Sequence, residues 1–584
     1  MKSLLNKDRL WKENQTEEGL VGRAREKLNC SRVFAELVAD RYGERLGRAS
    51  LNRETLSSFP KEVFYPPEDI PDLSRAVARI VEALEKEQDI FIHGDFDVDG
   101  LSSSALVYRG LKDLKSSPGP GRLKVEVGSR DFGHGISKKV SSRLIDESFD
   151  LLITTDCGVN EVEEIAHLRN FGVDVVVTDH HEPSGSLPSA LAVVDPKRSD
   201  SNYPNSHLAG AGVAYKLMVK LLDEIGEEQG EKGELLQLAA LGTISDLVPL
   251  IANGEDENRW LVKAGLEKLN QDPIIGVSAI LGELGGKGGK VGRETVSYRI
   301  APKLNSANRV GDPQVSFLLL ATRNREKADH LAKTLIDYDR DRSRIQNKLT
   351  RKAESLVQEE EFDPESEGIV FVVGEEWNLG ILGLVSSRLS SKYNLPAVTI
   401  SKGQSKSRGS VRGAGEVNIF DGLSRCSQFL TKFGGHKMAG GFSADNSSLD
   451  SLQSCLQDWA HSKLEGYDEG EEKYLASRLD PVHVNLDLYK ELQSLAPFGK
   501  GNPKPNFWME KLEVVSARRV GSSKNHLKMK LGDGEEILDC IGFGMGEELP
   551  LIRDQEFVNP VFALDLNDWG GRERVQLKLK DFIS

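Results

Sequence analysis

The sequence predicts an α/β protein: two α/β units joined by a long helix, followed by a small C-terminal β-barrel. Three observations carry that prediction. Four strand-length apolar runs in the first third end in Asp: "DIFIHGDFDVDG" (Asp95, Asp97, Asp99), "LLITTDCG" (Asp156), "VDVVVTDHH" (Asp179, His180, His181) and "ALAVVDP" (Asp195). Such strands, alternating with helical segments, indicate a parallel sheet. A charged stretch from about 325 to 358 holds no Pro or Gly and repeats its apolar residues every three or four positions, as one long helix does. From about 475 onward, strand-length runs separated by turn residues suggest an OB-like barrel.

The elements follow in order. Residues 1–65 read as a polar helical extension that ends near Pro60 and Pro66-Pro67. Residues 66–320 form the first α/β unit. "LSRAVARIVEALEK" is the helix before its first strand, and "LSSSALVYRGLKDL" is the helix after it. Residues 321–360 form the connecting helix. Its stripe of Ala328, Leu331, Leu335, Tyr338, Ile345, Leu349, Ala353 and Leu356 suits a bridge between units. Residues 361–468 form a second α/β unit with strands "IVFVV" and "AVTIS", helix "GILGLVSSRLSSKY" and the glycine-rich "KFGGHKMAGG". Residues 469–584, beginning in the acidic linker "YDEGEEKY", form the β-rich domain.

At 584 residues the chain exceeds what one core supports. No apolar run approaches the ~20 residues of a membrane span, and the N-terminus lacks the apolar core of a secretory signal. Five scattered cysteines, with no metal-ligand spacing, read as free thiols in a reducing compartment, hence the cytoplasm. The net charge of −15 argues against a uniformly basic nucleic-acid binder. Local basic stretches are present: "SKGQSKSRGSVRG" (Lys402, Lys406, Arg408, Arg412) and "SARRVGSSKNHLKMK" (Arg518, Arg519, Lys524, Lys528, Lys530).

The chemistry lies at the strand ends. Ligands bind where the strand order of an open parallel sheet reverses. Carboxylates about 5 Å apart repel by roughly 3 kcal/mol at an effective dielectric near 20, so a cation belongs between them. Oxygen-rich ligands with imidazole, and no paired thiolates, favour two Mn²⁺ or Mg²⁺ ions over structural zinc. Such a pair suits in-line displacement at phosphorus. "HGDFDVDG" matches the start of a calcium loop but lacks its closing Glu and follows a strand. Asp97 and Asp99 are expected on one side with Asp95 in support, and His93 within reach. Neighbouring side chains of an extended segment point oppositely, so one of His180 and His181 should meet metal while the other faces substrate. Cys157 is expected to be packing.

"GDFDVDG", "TDCG" and "DHH", in this order and spacing, resemble the first three motifs of the DHH phosphoesterase superfamily, and "GTISDLVPL" resembles the fourth. "ENRWLVKAGL", "YRIAPKLNSANR", "GILGLVSSRL", "KFGGHKMAGG" and "APFGKGNPKP" extend the resemblance, colinearly over nearly the whole chain, to the RecJ family within it. The resemblance implies a DHH domain, a DHHA1 domain and an OB-like domain. It implies a 5′→3′ exonuclease that releases mononucleotides from single-stranded DNA with Mn²⁺ or Mg²⁺, in repair and recombination. A helicase and a single-strand-binding protein would be partners.

By the resemblance, Asp97, Asp99, Asp156, His180 and Asp246 would ligate metal, with the catalytic residues Asp95 and His181 in or beside that shell. Arg130, Lys303, Asn305, Arg309, Ser410, Arg412 and His436 would meet the substrate. Phe507, Trp508 and Phe543 are candidates for base stacking. Two segments depart from the family pattern. Lys303 stands where the family has Arg, and Asn308 where it has Gly, a place Asn can fill by tolerating left-handed backbone. "SRDFGHG" replaces a longer segment that carries Glu and Tyr. Rival readings are a DHH phosphodiesterase acting on cyclic dinucleotides or short RNA, and a DNA-binding relative without catalysis.

Overall fold

The computed structural model describes all residues except 6–8, 48–50, 58–64, 113, 115–117, 131–132, 228–231, 286–288, 360–361, 416, 465–470, 554 and 568–572. The expected breaker Pro60 and the first half of the acidic linker lie outside the described residues.

Five strands form the first sheet: Ile90–Gly94, Leu123–Val127, Leu151–Thr155, Asp174–Thr178 and Ala192–Val194. All neighbours are parallel. Ile90–Gly94 lies between Leu123–Val127 and Leu151–Thr155. The chain therefore builds to one side of its first strand and then returns to the other, which opens a crevice at the carboxyl ends of Ile90–Gly94 and Leu151–Thr155. Both faces are covered. Ile90, Ile92, Leu151 and Ile153 pack with Leu101, Leu106, Val213 and Leu217 of helices Val98–Lys112 and Gly210–Glu224. Phe91, Leu152, Val175 and Val177 pack with Leu144 and Leu168 of helices Lys138–Asp146 and Val162–Asn170. Burial on both faces is why these strands read as unbroken apolar runs. Helices Lys232–Ser245, Glu257–Gln271, Ile275–Glu283, Ala301–Val310 and Pro313–Ala321 enlarge the unit.

The long helix is Arg325–Glu359, about 50 Å at 1.5 Å per residue. Ala328, Leu331, Ala332 and Leu335 enter the first core. Leu349, Ala353 and Val357 enter a second one with Val370, Val372, Val385 and Leu389. Beyond it a mixed sheet runs in the order Lys432–His436, Ala439–Asp445, Lys406–Arg412, Ala397–Lys402, Val370–Glu375. Helix Leu379–Tyr393 crosses between the parallel pair Val370–Glu375 and Ala397–Lys402. "KFGGHKMAGG" is a β-hairpin in which Gly434 faces Gly441 and Gly435 faces Gly440. The C-terminal unit is a curled eight-stranded OB-like sheet whose longer strands are Leu512–Val520, His526–Gly532, Pro560–Asn567 and Arg574–Phe582. Among its aromatics, Phe507 is core and the Trp508 indole donates to Glu13, while Phe543 is exposed beside His526.

One expectation is extended and one is corrected. The N-terminal extension holds helices, as expected, but begins with a strand and docks on the C-terminal unit. Strand Arg9–Glu13 runs parallel to Glu471–Leu475, and helices Glu18–Leu28 and Arg32–Tyr42 bury Val21, Leu28, Phe34 and Val38 in one core with Leu488, Leu492, Phe507 and Phe582. Charged residues on either side of so few apolar positions hid that stripe. The five thiols are not all free. Cys426 and Cys455 form a disulfide, their Cα atoms 6.0 Å apart, because the segment after helix Ile419–Arg425 packs on helix Leu449–Leu464. A sequence separation of 29 gave no sign of it. Cys30, Cys157 and Cys540 are free.

Candidate active site

Local backbone rules set each acidic side chain. Asp97 caps helix Val98–Lys112, its Oδ1 accepting from the N–H groups of Asp99 (2.9 Å) and Gly100 (3.3 Å). Asp99 stands in the first turn of that helix. Its two oxygens accept from the N–H groups of Gly210 (2.7 Å) and Ala211 (2.9 Å), where a second helix begins. Helix N-termini favour negative charge, so two of them offset part of the cost of crowding carboxylates. Asp156 follows strand Leu151–Thr155 in left-handed backbone, φ 61°, which is uncommon without glycine. Asp246 follows helix Lys232–Ser245. Two glycines make room: a Cβ at Gly210 would lie 2.5 Å from Asp156 Oδ1, and one at Gly242 2.3 Å from Asp99 Oδ1.

Three overlapping groups result. Ligand atoms of Asp95, Asp97 and Asp156 lie within 4.8 Å of one another, as do those of Asp99, His180 and Asp246, and those of Asp156, His180 and His181. His180 Nε2 is 3.1 Å from Asp156, 3.8 Å from Asp246 and 3.9 Å from Asp99. Burial, and then the neighbouring carboxylates, raise Asp97 above the usual range, Asp99 and Asp156 well above it, and Asp246 to about 6. Burial and the nearby His181 lower His180 to about 3. Protein groups alone therefore do not balance this cluster. Among the described residues, buried Asp95 Oδ1 and Asp156 Oδ1 accept no hydrogen bond. Orphaned oxygens converging with a neutral imidazole fit hard divalent cations, which these carboxylates and His180 would hold.

Asp97 and Asp99, expected on one side, are divided between two of these groups, because a helix starts between them. His180 and His181, expected to point apart, both turn to the cluster with rings 4.6 Å apart. The strand has already ended at Thr178, so the alternation no longer applies. Asp179 sets His181: its Oδ1 is 2.7 Å from His181 Nδ1 and also accepts from the His180 N–H, while Oδ2 accepts from Val159. Burial opposes that charge, yet these bonds hold Asp179 at about 2. His93 turns from the cluster, with Nε2 3.2 Å from the Gly135 carbonyl. Buried Asp195 accepts from the Lys197 N–H (2.7 Å). Cys157 is buried, as expected.

A basic wall faces the carboxylates. The charges of Arg130 and Arg412 lower Arg309, which burial first depresses, to about 9. Arg309 donates to Gly380 O across to the second α/β unit (2.8 Å). Arg412 donates to Ser410 Oγ (3.0 Å) and lies against Gly383, where a Cβ would meet its guanidinium at 2.4 Å. His436 is exposed at the glycine hairpin, and after burial the charges of His181, Lys197 and His134 depress it. Lys303 is instead paired with Asp339 of the long helix (2.8 Å). Asn305 Oδ1 is buried without a partner among the described residues. Asn308 is helical, so left-handed tolerance is not why Asn serves there.

Sequence reasoning missed several groups. His134 Nδ1 lies 3.2 Å from Asp95, a contact that raises its pKa. Lys197 and Lys500 both act on Asp246. Lys500 belongs to "APFGKGNPKP", and its carbonyl accepts from Leu250 N–H (2.8 Å), so the C-terminal unit reaches this cleft. Within the motif, Lys500 was the cue. For Lys197 and His134 the signal was only nearness to Asp195-Pro196 and to the altered "SRDFGHG" loop.

Residues 89–243 match the DHH family N-terminal domain, 366–462 the DHHA1 domain and 476–581 the RecJ OB domain. The single-stranded-DNA-specific exonuclease RecJ of Bacillus subtilis is 31% identical over 578 residues, 98% of this chain and 70% of that protein. The crystal structure of Thermus thermophilus RecJ with Mn²⁺ superposes with a TM-score of 0.81 at 27% identity, covering 99% of this chain and 80% of that one. The Mg²⁺ complex of the same protein gives 0.75 at 25%, covering 99% and 79%. No helix among the described residues is long and apolar enough to cross a membrane.

Proposed function

We infer that this chain, which belongs to the RecJ family of single-stranded-DNA-specific exonucleases, is a Mn²⁺- or Mg²⁺-dependent exonuclease. It removes 5′-mononucleotides from the 5′ end of single-stranded DNA in repair and recombination. The observation that carries this is the set of overlapping carboxylate–histidine groups joined through Asp156 and His180, with Arg130 and Arg309 acting on Asp97 and Arg412 beside them. Asp95, Asp97, Asp99, Asp156, His180, His181 and Asp246 would hold two divalent cations, which when bound supply an activated water and charge neutralisation at phosphorus. Asp179 fixes His181 and keeps its imidazole aimed at the cluster. Arg130, Arg309 and Arg412 offer forked N–H pairs to phosphate oxygens, Ser410 steadies Arg412, and His436 approaches from the hairpin.

The bond from Arg309 to Gly380 ties the two α/β units together beside the cluster, which favours a narrow cleft for one strand. The reaction belongs in the cytoplasm, downstream of a helicase that unwinds duplex and beside a single-strand-binding protein. The test is Mn²⁺-dependent digestion of a long strand labelled separately at each end, with a duplex control and Asp156→Ala. Early release of the 5′ label as mononucleotide, absent from both controls, is expected. An untouched long strand, with cleavage of a cyclic dinucleotide, would replace this reading by the small-substrate one.

A further inference from the structure

Three guanidinium groups near one another repel, and something must hold them together. Arg412 is held by Ser410 Oγ and Val411 O, and Arg309 by Gly380 O. Among the described residues, no backbone carbonyl accepts from Arg130. Arg130 sits on a loop that departs from the family pattern, and its one hydrogen bond among the described residues runs from Nε to Asn308 Oδ1 (3.1 Å). The other end of the same amide, Nδ2, donates to the Phe96 carbonyl (2.8 Å). The Phe96 ring lies beneath the Arg130 guanidinium, 4.8 Å from centroid to Cζ.

We propose that Asn308 is a positioning residue that clamps Arg130 over Phe96, so that the free edge of its guanidinium meets a substrate phosphate. Asn308 is only 8% exposed, and both polar ends of its side chain are used. It links the helix bearing Arg309, the turn between Asp95 and Asp97, and Arg130. With Nε bonded and the ring below, the plane of the fork is fixed, and both terminal nitrogens stay free of hydrogen bonds to described residues. Bidentate phosphate recognition depends on such preorganisation. A glycine at 308, the residue the family pattern has there, would leave the Phe96 carbonyl and Arg130 Nε unpartnered and release a flexible side chain. The proposal rests on the reading that Arg130 meets substrate phosphate.

The test compares Asn308→Gly, Asn308→Ala, Arg130→Gln and the Asn308→Ala/Arg130→Gln double variant on 5′-phosphorylated single-stranded DNA with Mn²⁺. We expect KM to rise about tenfold for either Asn308 variant, the scale of one or two lost hydrogen bonds, with kcat within about threefold and an unchanged Mn²⁺ dependence. Alanine is the stronger helix former, so Asn308→Ala carries the smaller stability cost of the two variants: it should remain fully folded at the assay temperature, with a modestly lowered thermal midpoint, while KM rises. The double variant should be no worse than Arg130→Gln, since groups acting through one another are not additive. Additive losses, an unchanged KM, or a fall in kcat alone would overturn the clamp. Binding of a fluorescent 5′-phosphorylated octathymidylate in an Asp156→Ala background separates the two hypotheses. Weaker binding on Asn308→Ala supports the clamp even if no variant hydrolyses DNA, and unchanged binding refutes it even if the wild type does.

Discussion

Gly210→Ala should inactivate the enzyme without unfolding it. The added Cβ would lie 2.5 Å from Asp156 Oδ1, 2.7 Å from its Cβ and 2.8 Å from its Cγ. Carbon atoms normally rest about 3.5–4.0 Å apart, so Asp156 or the start of helix Gly210–Glu224 must retreat by about 1 Å. Neither can move freely. The Asp156 N–H donates to Thr178 O at 2.9 Å, and the Gly210 N–H is bonded to Asp99. Whichever yields, one carboxylate leaves its place. A displacement of about 1 Å in a catalytic constellation costs on the order of 10²-fold in rate. Alanine gains up to ~1 kcal/mol of helix propensity over glycine, which offsets part of the strain, so thermal unfolding should change little. Gly282→Ala is the control, since nothing lies within 4 Å of its added Cβ. The assay is the initial rate of mononucleotide release from 5′-labelled single-stranded DNA in Mn²⁺, with thermal melts alongside. If Gly210→Ala keeps more than about a third of wild-type activity, the crowding argument is wrong.

Three further outcomes are expected. Asp179→Asn should lower activity or Mn²⁺ affinity about 10–100-fold, because an amide cannot accept every bond that now fixes His181; titration calorimetry with Mn²⁺ separates affinity from rate. Lys216→Met should destabilise the first unit by about 3–5 kcal/mol in urea unfolding, since it strands buried Glu257, now 2.5 Å from Lys216 and bonded also to Tyr203 and Asn205. Burial raises Asp195 to about 7. A folded value above the unfolded one means stability present below about pH 4 and lost as pH rises through 7, so Asp195→Asn should gain up to about 4 kcal/mol at pH 8–9 and nothing at pH 4. A pH-independent gain would refute that assignment.

The sheet and its acidic strand ends were legible because strands buried on both faces leave unbroken apolar runs, and because each run stops where the chemistry starts. Asp246 came from a motif rather than from the sheet, since it lies after a helix. What sequence could not give was direction. Alternation along a strand says nothing once the strand stops, so His180 and His181 were split when they converge. Lys303 and Asn308 looked like weakened copies of a pattern. In the fold, Lys303 braces the long helix through Asp339, and Asn308 joins two segments more than two hundred residues apart in sequence, Phe96 and itself, with the loop of Arg130 between. Non-local pairings of that kind, like Cys426 with Cys455, have no local signature.

The pairing of Arg9–Glu13 with Glu471–Leu475 has a consequence for biosynthesis. Strand partners Arg9 and Glu471 are separated by 462 positions, and ribosomes extend chains at about 5–20 residues per second. The opening strand and the two helices after it therefore wait roughly half a minute to a minute and a half for the surface that buries Val21, Leu28, Phe34 and Val38. During that interval both α/β units emerge and can fold, while the Arg9–Glu13 segment made before them still lacks its partner strand. Of the two segments that meet there, the one made first waits longest for its partner.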